Sequence, residues 1–234
     1  MQATGEVLAW IGPDDPFPPV ARALKDPNGL LAAGGDLSLE RLLDAYRQGI
    51  FPWFSRGEPI LWWSPDPRMV LYTSELKVSR SLAKNLRNKG YEVKVDTAFR
   101  EVIKGCANRK ETWLGRPMQA AYLALHQNGY AHSFETWRGD DLVGGLYGVA
   151  VGRMFYGESM FSTATDASKV ALVGLVQALV ARGFPLIDCQ MKTPLLASLG
   201  GREIPRAAFL RALAALVNYA DPPGKWTERT QESA

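Results

Sequence analysis

Cysteine and histidine are scarce in this chain, whose 234 residues include two of each. Cys106 and Cys189 have neither the spacing of a zinc site nor that of a disulfide framework, so reduced thiols in the cytosol are the simplest interpretation. His126 and His132 lie outside any recognisable nucleophile motif, which argues against Ser-His-Asp and Cys-His catalysis. No metal site is expected, and Cys189 has no neighbouring base that would make it a nucleophile.

Long apolar runs are missing as well. The longest, residues 170–181, is too short to cross a bilayer and contains Gln177. The first residues show neither the basic region nor the apolar core of a signal peptide. We therefore expect a cytoplasmic protein without a membrane partner. The net charge of +3 permits an anionic partner but does not require one.

The order of the predicted elements indicates an α+β fold in which consecutive strands pair. This order matches the acetyltransferase (GNAT-type) fold with its mixed sheet. Strands are predicted at residues 69–72, 76–78, 91–95, 132–138, 142–151, 153–161 and 186–190. Helices are predicted at residues 79–89, 96–108, 117–129, 167–182, 193–199 and 205–219, with Asp96 as the cap of the second.

The first part of the chain is rich in proline and glycine and has one clear helix, which Ser38 caps and Gly49 ends. The proline-rich run 59–67 is interpreted as a connector, and we place a boundary there. Residues 1–65 are predicted to form a small N-terminal domain with an aromatic and proline-rich connector. Residues 66–234 are predicted to form an acetyltransferase-like catalytic domain, with a loose tail after Asp221.

The segment that contains this connector, residues 49–68, combines five aromatic residues with four prolines. Proline fixes φ and removes a backbone donor, so we expect neither a regular helix nor a central strand here. The rings must pack into a core or onto a ligand, and this pattern alone does not distinguish the two.

Three groups of polar residues could carry chemistry. Glu158 lies among apolar residues of a strand, where it is either exposed on a wet sheet face or held for a cation. Asp188 and Gln190 are two residues apart, so they are predicted to share a strand face, with Cys189 on the other. Their polarity suits a site at a sheet edge or simply a strand end.

The third group is basic. Arg80, Lys84 and Arg87 follow helical spacing and share a face, and residues 79–90 contain no acidic side chain. A solvated helix face and a phosphate-binding face both fit this pattern.

Known nucleotide-binding loops are absent. The chain has neither a G-x-x-x-x-G-K-[ST] loop nor a Rossmann fingerprint. The acetyl-CoA loop, [RQ]-x-x-G-x-[GA], finds its nearest match at residues 126–131, where His126 is the wrong first residue. An acyl donor other than CoA is therefore expected.

Several short blocks carry a resemblance that extends from about residue 27 to residue 210. They are PNGLLAAGGDLS at 27–38, GIFPWF at 49–54, WWSPDPR at 62–68, GGLYGVAVG at 144–152, GESMFS at 157–162, ASK at 167–169, LIDCQ at 186–190 and SLGGREIPR at 198–206. In this order and spacing they resemble the leucyl/phenylalanyl-tRNA–protein transferase family. One departure is Leu195, where that family often has histidine.

The resemblance implies transfer of Leu, Phe or Met from aminoacyl-tRNA to an acceptor protein that begins with Arg or Lys, which marks the acceptor for N-end-rule degradation. It implies that Asp188 and Gln190 are catalytic. It also implies an aminoacyl pocket and a tRNA-binding basic surface. The pocket residues are Trp53, Trp113, Leu146, Phe155, Glu158 and Ser162, and the basic residues are Arg80 and Lys84, to which we add Arg87 from the same helix face.

An aminoacyl ester is already activated, so neither ATP nor another cofactor is expected. We expect Gln190 to orient the attacking amine, and Asp188 to fix the Gln190 amide and favour the positive charge that develops on nitrogen. Two alternatives remain at this point: a CoA-dependent N-acyltransferase, and an RNA-binding module without this activity.

Overall fold

The computed structural model describes residues 7–108, 112–219 and 224–229. Within these residues the chain forms eleven β-strands and eight α-helices. The strands are β1 (Ala9–Ile11), β2 (Leu30–Gly34), β3 (Phe51–Pro52), β4 (Leu61–Trp63), β5 (Arg68–Tyr72), β6 (Tyr91–Val95), β7 (Ala131–Arg138), β8 (Asp141–Val151), β9 (Met154–Ser162), β10 (Leu186–Gln190) and β11 (Arg202–Ile204). The helices are α1 (Leu39–Arg47), α2 (Arg80–Asn88), α3 (Phe99–Ala107), α4 (Arg116–Gln127), α5 (Ala167–Ala181), α6 (Pro194–Ser198), α7 (Arg206–Leu216) and α8 (Trp226–Arg229).

The strands form two sheets. The small sheet has the order β1-β2-β4-β3, and the large sheet has the order β11-β5-β10-β9-β8-β7-β6. In the large sheet β9 and β10 pair in parallel, and the other neighbouring strands pair antiparallel. The predicted α+β class with a mixed sheet is therefore confirmed.

Helices cover both faces of the large sheet. α3 and α4 pack on one face, and α5 packs on the other. Gly144 of β8 allows α5 to come close, because a Cβ atom there would lie 2.6 Å from the Cβ of Ala167. The core on the α3 side continues into the small sheet, where the fully buried Trp62 belongs to the same apolar cluster. No helix in the described residues is long and apolar enough to cross a bilayer.

The segment 49–68 contains a central strand, contrary to the prediction. β4 lies between β2 and β3 in the small sheet. Its three residues avoid the prolines, and Pro52 lies in the edge strand β3, where a missing backbone donor is tolerated. The Trp62 indole N–H donates to the Gly34 carbonyl at 2.9 Å, which satisfies the buried ring nitrogen.

Two further predictions about local structure were wrong. Residues 76–78 form no strand; a 3₁₀ turn, Thr73–Glu75, precedes them. Asp96 does not cap α3, which begins at Phe99 with Ala98 as its N-cap. Asp96 instead has a φ of 56° and accepts hydrogen bonds from the backbone of Ser133, at 2.9 Å, and of Trp226, at 3.0 Å.

The tail was expected to be loose, but its described part is packed. Trp226 is buried, and its ring stacks on His132 at 4.1 Å between centroids. Residues 220–223 and 230–234 lie outside the described residues. A tryptophan far along a polar tail therefore anchors the chain to the large sheet.

Candidate active site

The centre of the large sheet opens where its parallel strands stop pairing. Residues 154–156 of β9 pair with residues 186–188 of β10, and no further pairs follow between these strands. Each strand then carries a β-bulge. A cavity of about 390 Å³ lies at this point, bordered by residues 157–160 of β9 and by the end of β10.

The bulge in β9 decides where Glu158 points. Tyr147 pairs with Ser159 and Gly148 pairs with Gly157, so Glu158 is the extra residue. Its carboxylate accepts hydrogen bonds from the hydroxyl of Tyr46 at 2.8 Å and from that of Tyr122 at 2.6 Å. Glu158 borders the cavity and is partly buried, so the predicted alternative of an exposed sheet face is wrong.

Burial changes the proton affinity of this group. Loss of water raises the pKa of Glu158 to about 7, although the hydrogen bonds from Tyr122 and Tyr46 act in the opposite direction. Burial and the nearby carboxylate raise the pKa of both tyrosines well above the usual value, so they remain donors at neutral pH. The cavity thus contains an acid that titrates near neutrality.

Gln190 reaches the cavity through the bulge in β10. Asp188 pairs with Val70 and Gln190 pairs with Met69, so Cys189 is the extra residue. Gln190 has a φ of 55° and borders the cavity, as Cys189 does. The predicted alternation, with Cys189 on the opposite face from Gln190, is therefore wrong. Burial raises the pKa of the Cys189 thiol, which leaves it a poor nucleophile.

Asp188 is fully buried and is not among the residues that border the cavity. Its carboxylate accepts hydrogen bonds from Arg68 Nε at 2.8 Å and Nη2 at 2.6 Å. It also accepts one from the backbone N–H of Gln190 at 2.9 Å. Sequence reasoning missed Arg68, although a charge at the start of the apolar run RMVLY was a usable signal.

The rest of the cavity wall is largely apolar. Trp53 is 38% exposed, and its backbone carbonyl accepts a 2.6 Å hydrogen bond from the indole of Trp63. Trp113 lies edge-on to Tyr122 at 6.3 Å. Of the predicted pocket residues, Trp53, Trp113, Leu146 and Glu158 border the cavity, together with the unpredicted Phe51, Pro52, Tyr147, Met160, Leu172, Leu175, Ile187, Leu195 and Leu196.

Two predicted pocket residues do not border the cavity. Phe155 is fully buried and packs against Trp226 at 6.0 Å between ring centroids. Ser162 ends β9, where its hydroxyl donates to the Ala164 carbonyl and accepts from the backbone of Ser168. Both residues therefore support elements around the cavity, one in the core and one at the start of α5.

The predicted basic face lies on α2, outside the cavity. Arg80, Lys84 and Arg87 are exposed, and Leu82 is the buried residue of this helix. The Asn85 side chain donates to Asp166 just before α5 at 2.7 Å. The three cations are thus available to solvent on a helix that is attached to the large sheet.

Comparison with known proteins gives a consistent result. A family profile described as leucyl/phenylalanyl-tRNA protein transferase matches residues 70–214, and one for the N-terminal domain of these proteins matches residues 35–66. The leucyl/phenylalanyl-tRNA–protein transferase of Thiobacillus denitrificans is 66% identical over 215 residues, which cover 90% of this chain and 94% of that protein. The protein of the same name from Chromobacterium violaceum is 60% identical over 224 residues, covering 94% and 96%.

Solved structures are far less similar. The C-terminal domain of a putative lysylphosphatidylglycerol synthetase from Agrobacterium fabrum has a TM-score of 0.43 at 11% identity, over 79% of this chain and 72% of that one. A GCN5-related N-acetyltransferase from Kribbella flavida has a TM-score of 0.38 at 11% identity, over 70% and 60%. Overlaps of this size carry no information about the reaction.

Proposed function

Because this chain belongs to the leucyl/phenylalanyl-tRNA–protein transferase family and is thus an aminoacyltransferase, we propose that its transfer reaction takes place in the cavity between β9 and β10. The donor is aminoacyl-tRNA charged with Leu, Phe or Met. The acceptor is the amino terminus of a protein that begins with Arg or Lys, and the product is marked for N-end-rule degradation. Charged tRNA is a cytoplasmic substrate, so we place the reaction in the cytoplasm.

One observation carries this proposal: a cavity of about 390 Å³ with a largely apolar wall into which few polar groups converge. Leu146, Leu172 and Leu175 form a wall suited to an unbranched or γ-branched apolar side chain. Glu158 and Gln190 border the same space from neighbouring strands. The cavity can therefore hold an apolar amino acid beside groups that bind an amine.

The two tryptophans at the cavity suit the nucleotide end of the donor. Trp53 borders the cavity and is partly exposed, and Trp113 borders it beside Tyr122. Stacking of a base on an aromatic ring contributes about 1–3 kcal/mol and tolerates any base. We assign Trp53 and Trp113 to the terminal adenosine and the aminoacyl group.

The chemistry needs little beyond positioning. The acceptor α-amine has a pKa of about 7.7–8.0, so an appreciable fraction is neutral near pH 7.5. Its nitrogen attacks the ester carbonyl, a C–N bond forms, the ester C–O bond breaks, and the ribose hydroxyl leaves while the amine loses a proton. The Gln190 carbonyl oxygen accepts a hydrogen bond from the amine and orients it. The Glu158 carboxylate binds an ammonium group of one of the two substrates.

The tRNA body is assigned to the exposed face of α2. Arg80, Lys84 and Arg87 carry positive charge without acidic neighbours on the helix, so phosphate contacts there would weaken as salt increases.

We also propose that the chain divides near residue 65 into an N-terminal domain, 1–65, and a catalytic domain, 66–234. This boundary lies between β4, the last strand of the small sheet, and β5.

The test uses the full chain, tRNA charged with labelled leucine, and two peptides that differ only in beginning with Arg or Ala. We expect transfer to the Arg peptide without ATP, no transfer after RNase treatment, and little transfer to the Ala peptide. A CoA-dependent enzyme would instead acylate the peptide from acyl-CoA. Binding of charged and uncharged tRNA with equal affinity and no transfer would contradict the proposal and support an RNA-binding module.

A further inference from the structure

We propose that Arg68 is a positioning residue for the transfer reaction, because it fixes the Asp188 carboxylate that holds the backbone of Gln190 at the cavity. The inference rests on the proposed function for its kinetic consequence. Its structural part stands on the hydrogen bonds around Asp188. It gives Asp188 a role through Gln190 rather than through contact with substrate.

Both oxygens of the Asp188 carboxylate accept hydrogen bonds from groups inside the protein. Oδ1 accepts from Arg68 Nε at 2.8 Å and from the Gln190 backbone N–H at 2.9 Å, and Oδ2 accepts from Arg68 Nη2 at 2.6 Å. The side chains of Asp188 and Arg68 are both 0% exposed. Asp188 therefore has no surface with which to touch a substrate, and its path to the cavity runs through Gln190.

The Gln190 backbone requires such support. Its φ of 55° lies in the left-handed region, which is unfavourable for a non-glycine residue. The N–H that turns inward at this bulge meets a charged acceptor, and such hydrogen bonds are stronger than neutral ones. A displaced acceptor would allow the bulge to relax, and Gln190 would move away from its place at the cavity.

Arg68 also contacts a second segment that borders the cavity. Its Nη1 donates to the Gly49 carbonyl at 3.1 Å, and its guanidinium lies 4.9 Å from the ring centroid of Phe51 and 4.6 Å from that of Phe209. Phe51 borders the cavity. A single buried guanidinium therefore joins the segment at Gly49–Phe51 to the bulge at Gln190 and sets their separation.

The first test is Arg68→Lys, which keeps the charge but loses the planar fork that binds both carboxylate oxygens. We expect kcat for peptide transfer to fall about tenfold, with the KM for charged tRNA within about twofold of wild type, because misplacement of a reacting group lowers kcat. A variant with wild-type kcat, shown by its unfolding curve to be folded, would overturn the proposal.

The second test compares two double variants that both lack the buried charges. Arg68→Met with Asp188→Asn keeps an oxygen that can accept from the Gln190 N–H, whereas Arg68→Met with Asp188→Leu does not. Replacement of a buried ion pair by apolar groups is often tolerated, so both variants are expected to fold. We expect the Leu variant to have a kcat about tenfold below that of the Asn variant. Equal rates would show that Asp188 does not act through this acceptor.

Hydrogen exchange of the Gln190 amide provides a readout that is independent of activity. We expect slow exchange in the wild type and in the Asn variant, and faster exchange in the Leu variant. If the wild type transfers no label, the proposed function fails while this measurement still tests the structural part. If exchange is equally slow in all three proteins, the positioning role is wrong even where transfer is observed.

Discussion

Two carboxylates on neighbouring strands of the same sheet have opposite surroundings. Asp188 on β10 lies against a guanidinium, has no exposed surface and does not border the cavity. Glu158 on β9 has two neutral tyrosine hydroxyls as partners and borders the cavity. The charge of Asp188 is thus balanced by Arg68 inside the protein. Glu158 has no cation among these partners, so its carboxylate can interact with a substrate.

The comparison shows how hydrogen-bond and ion-pair partners give different properties to two carboxylates that look alike in the sequence. A buried carboxylate paired with a cation becomes a fixed structural acceptor. A buried carboxylate that receives hydrogen bonds from neutral donors keeps a raised pKa, which for Glu158 is about 7. In the proposed mechanism, the first holds the backbone of Gln190 in place and the second binds an ammonium group of a substrate.

The largest effect is expected when the ion pair is broken. Asp188→Ala leaves the Arg68 guanidinium buried without its partner, so the free energy of unfolding should fall by about 3–5 kcal/mol. Urea unfolding followed by circular dichroism measures this change. Arg68→Met with Asp188→Leu is the matched control and should recover most of the loss. A loss below about 1 kcal/mol for Asp188→Ala would show that the pair is not isolated from water.

In the proposed mechanism, Asp188 influences the transfer reaction through Gln190. Gln190→Ala should lower the transfer rate about 100-fold, because the amine loses the acceptor that orients it. Gln190→Glu keeps an oxygen in place and should retain partial activity. Single-turnover transfer from labelled leucyl-tRNA measures both rates. Wild-type rates for Gln190→Ala would exclude this role.

A smaller effect is expected on the Glu158 side. Tyr122→Phe removes the 2.6 Å donor to Glu158, so the pKa of Glu158 should rise further. A hydrogen bond to an ionised group contributes about 1.5–3 kcal/mol. The variant should therefore lose more free energy of unfolding at pH 8, where Glu158 is ionised, than at pH 5. Carbon-detected NMR titration of Glu158 measures the shift, and the exposed Tyr219→Phe serves as control. An unchanged pKa would mean that Tyr122 does not stabilise the carboxylate.

The last effect, which is spread over several pH units, concerns how the free energy of unfolding depends on pH. The pKa of Glu158 is raised to about 7 from 4.5, so between these values the folded state binds more protons than the unfolded state. Stability should therefore fall as pH rises through this window and level off above it. Glu135, whose pKa burial also raises to about 7, adds a similar slope. Glu158→Gln should reduce the change in the free energy of unfolding with pH, measured by urea unfolding across this window. An unchanged pH dependence would mean that other groups cause it.

Local patterns predicted most element positions well. β6 and β10 have the predicted bounds, and Ser38 caps α1 through a hydrogen bond from the Arg41 backbone. Alternation, caps and turn residues act over a few neighbouring positions, so they are readable from the chain. The predicted helix cap at Asp96 was wrong, because this side chain accepts from the backbone of Ser133 in β7. The predicted loose tail was wrong at Trp226, because its ring stacks on His132 of β7.

The candidate site was predictable in several of its residues but not in its geometry. The polar pattern identified Glu158, Gln190 and Asp188, and the resemblance added Trp53 and Trp113. Strand alternation, however, failed at Cys189 and Gln190, because β10 carries a bulge that depends on the register of its neighbour. Bulges of this kind have no simple local signature.

The sequence by itself determined the α+β class, most helices and strands, the family, and the polar residues that can serve a transfer reaction, because these depend on short-range patterns and on residue types in order. The tertiary structure decided which carboxylate meets which partner. Arg68 lies 120 residues from Asp188 along the chain, and Tyr46 lies 112 residues from Glu158. Such contacts depend on the packing of distant elements, and a carboxylate takes its charge and its role from the groups that surround it.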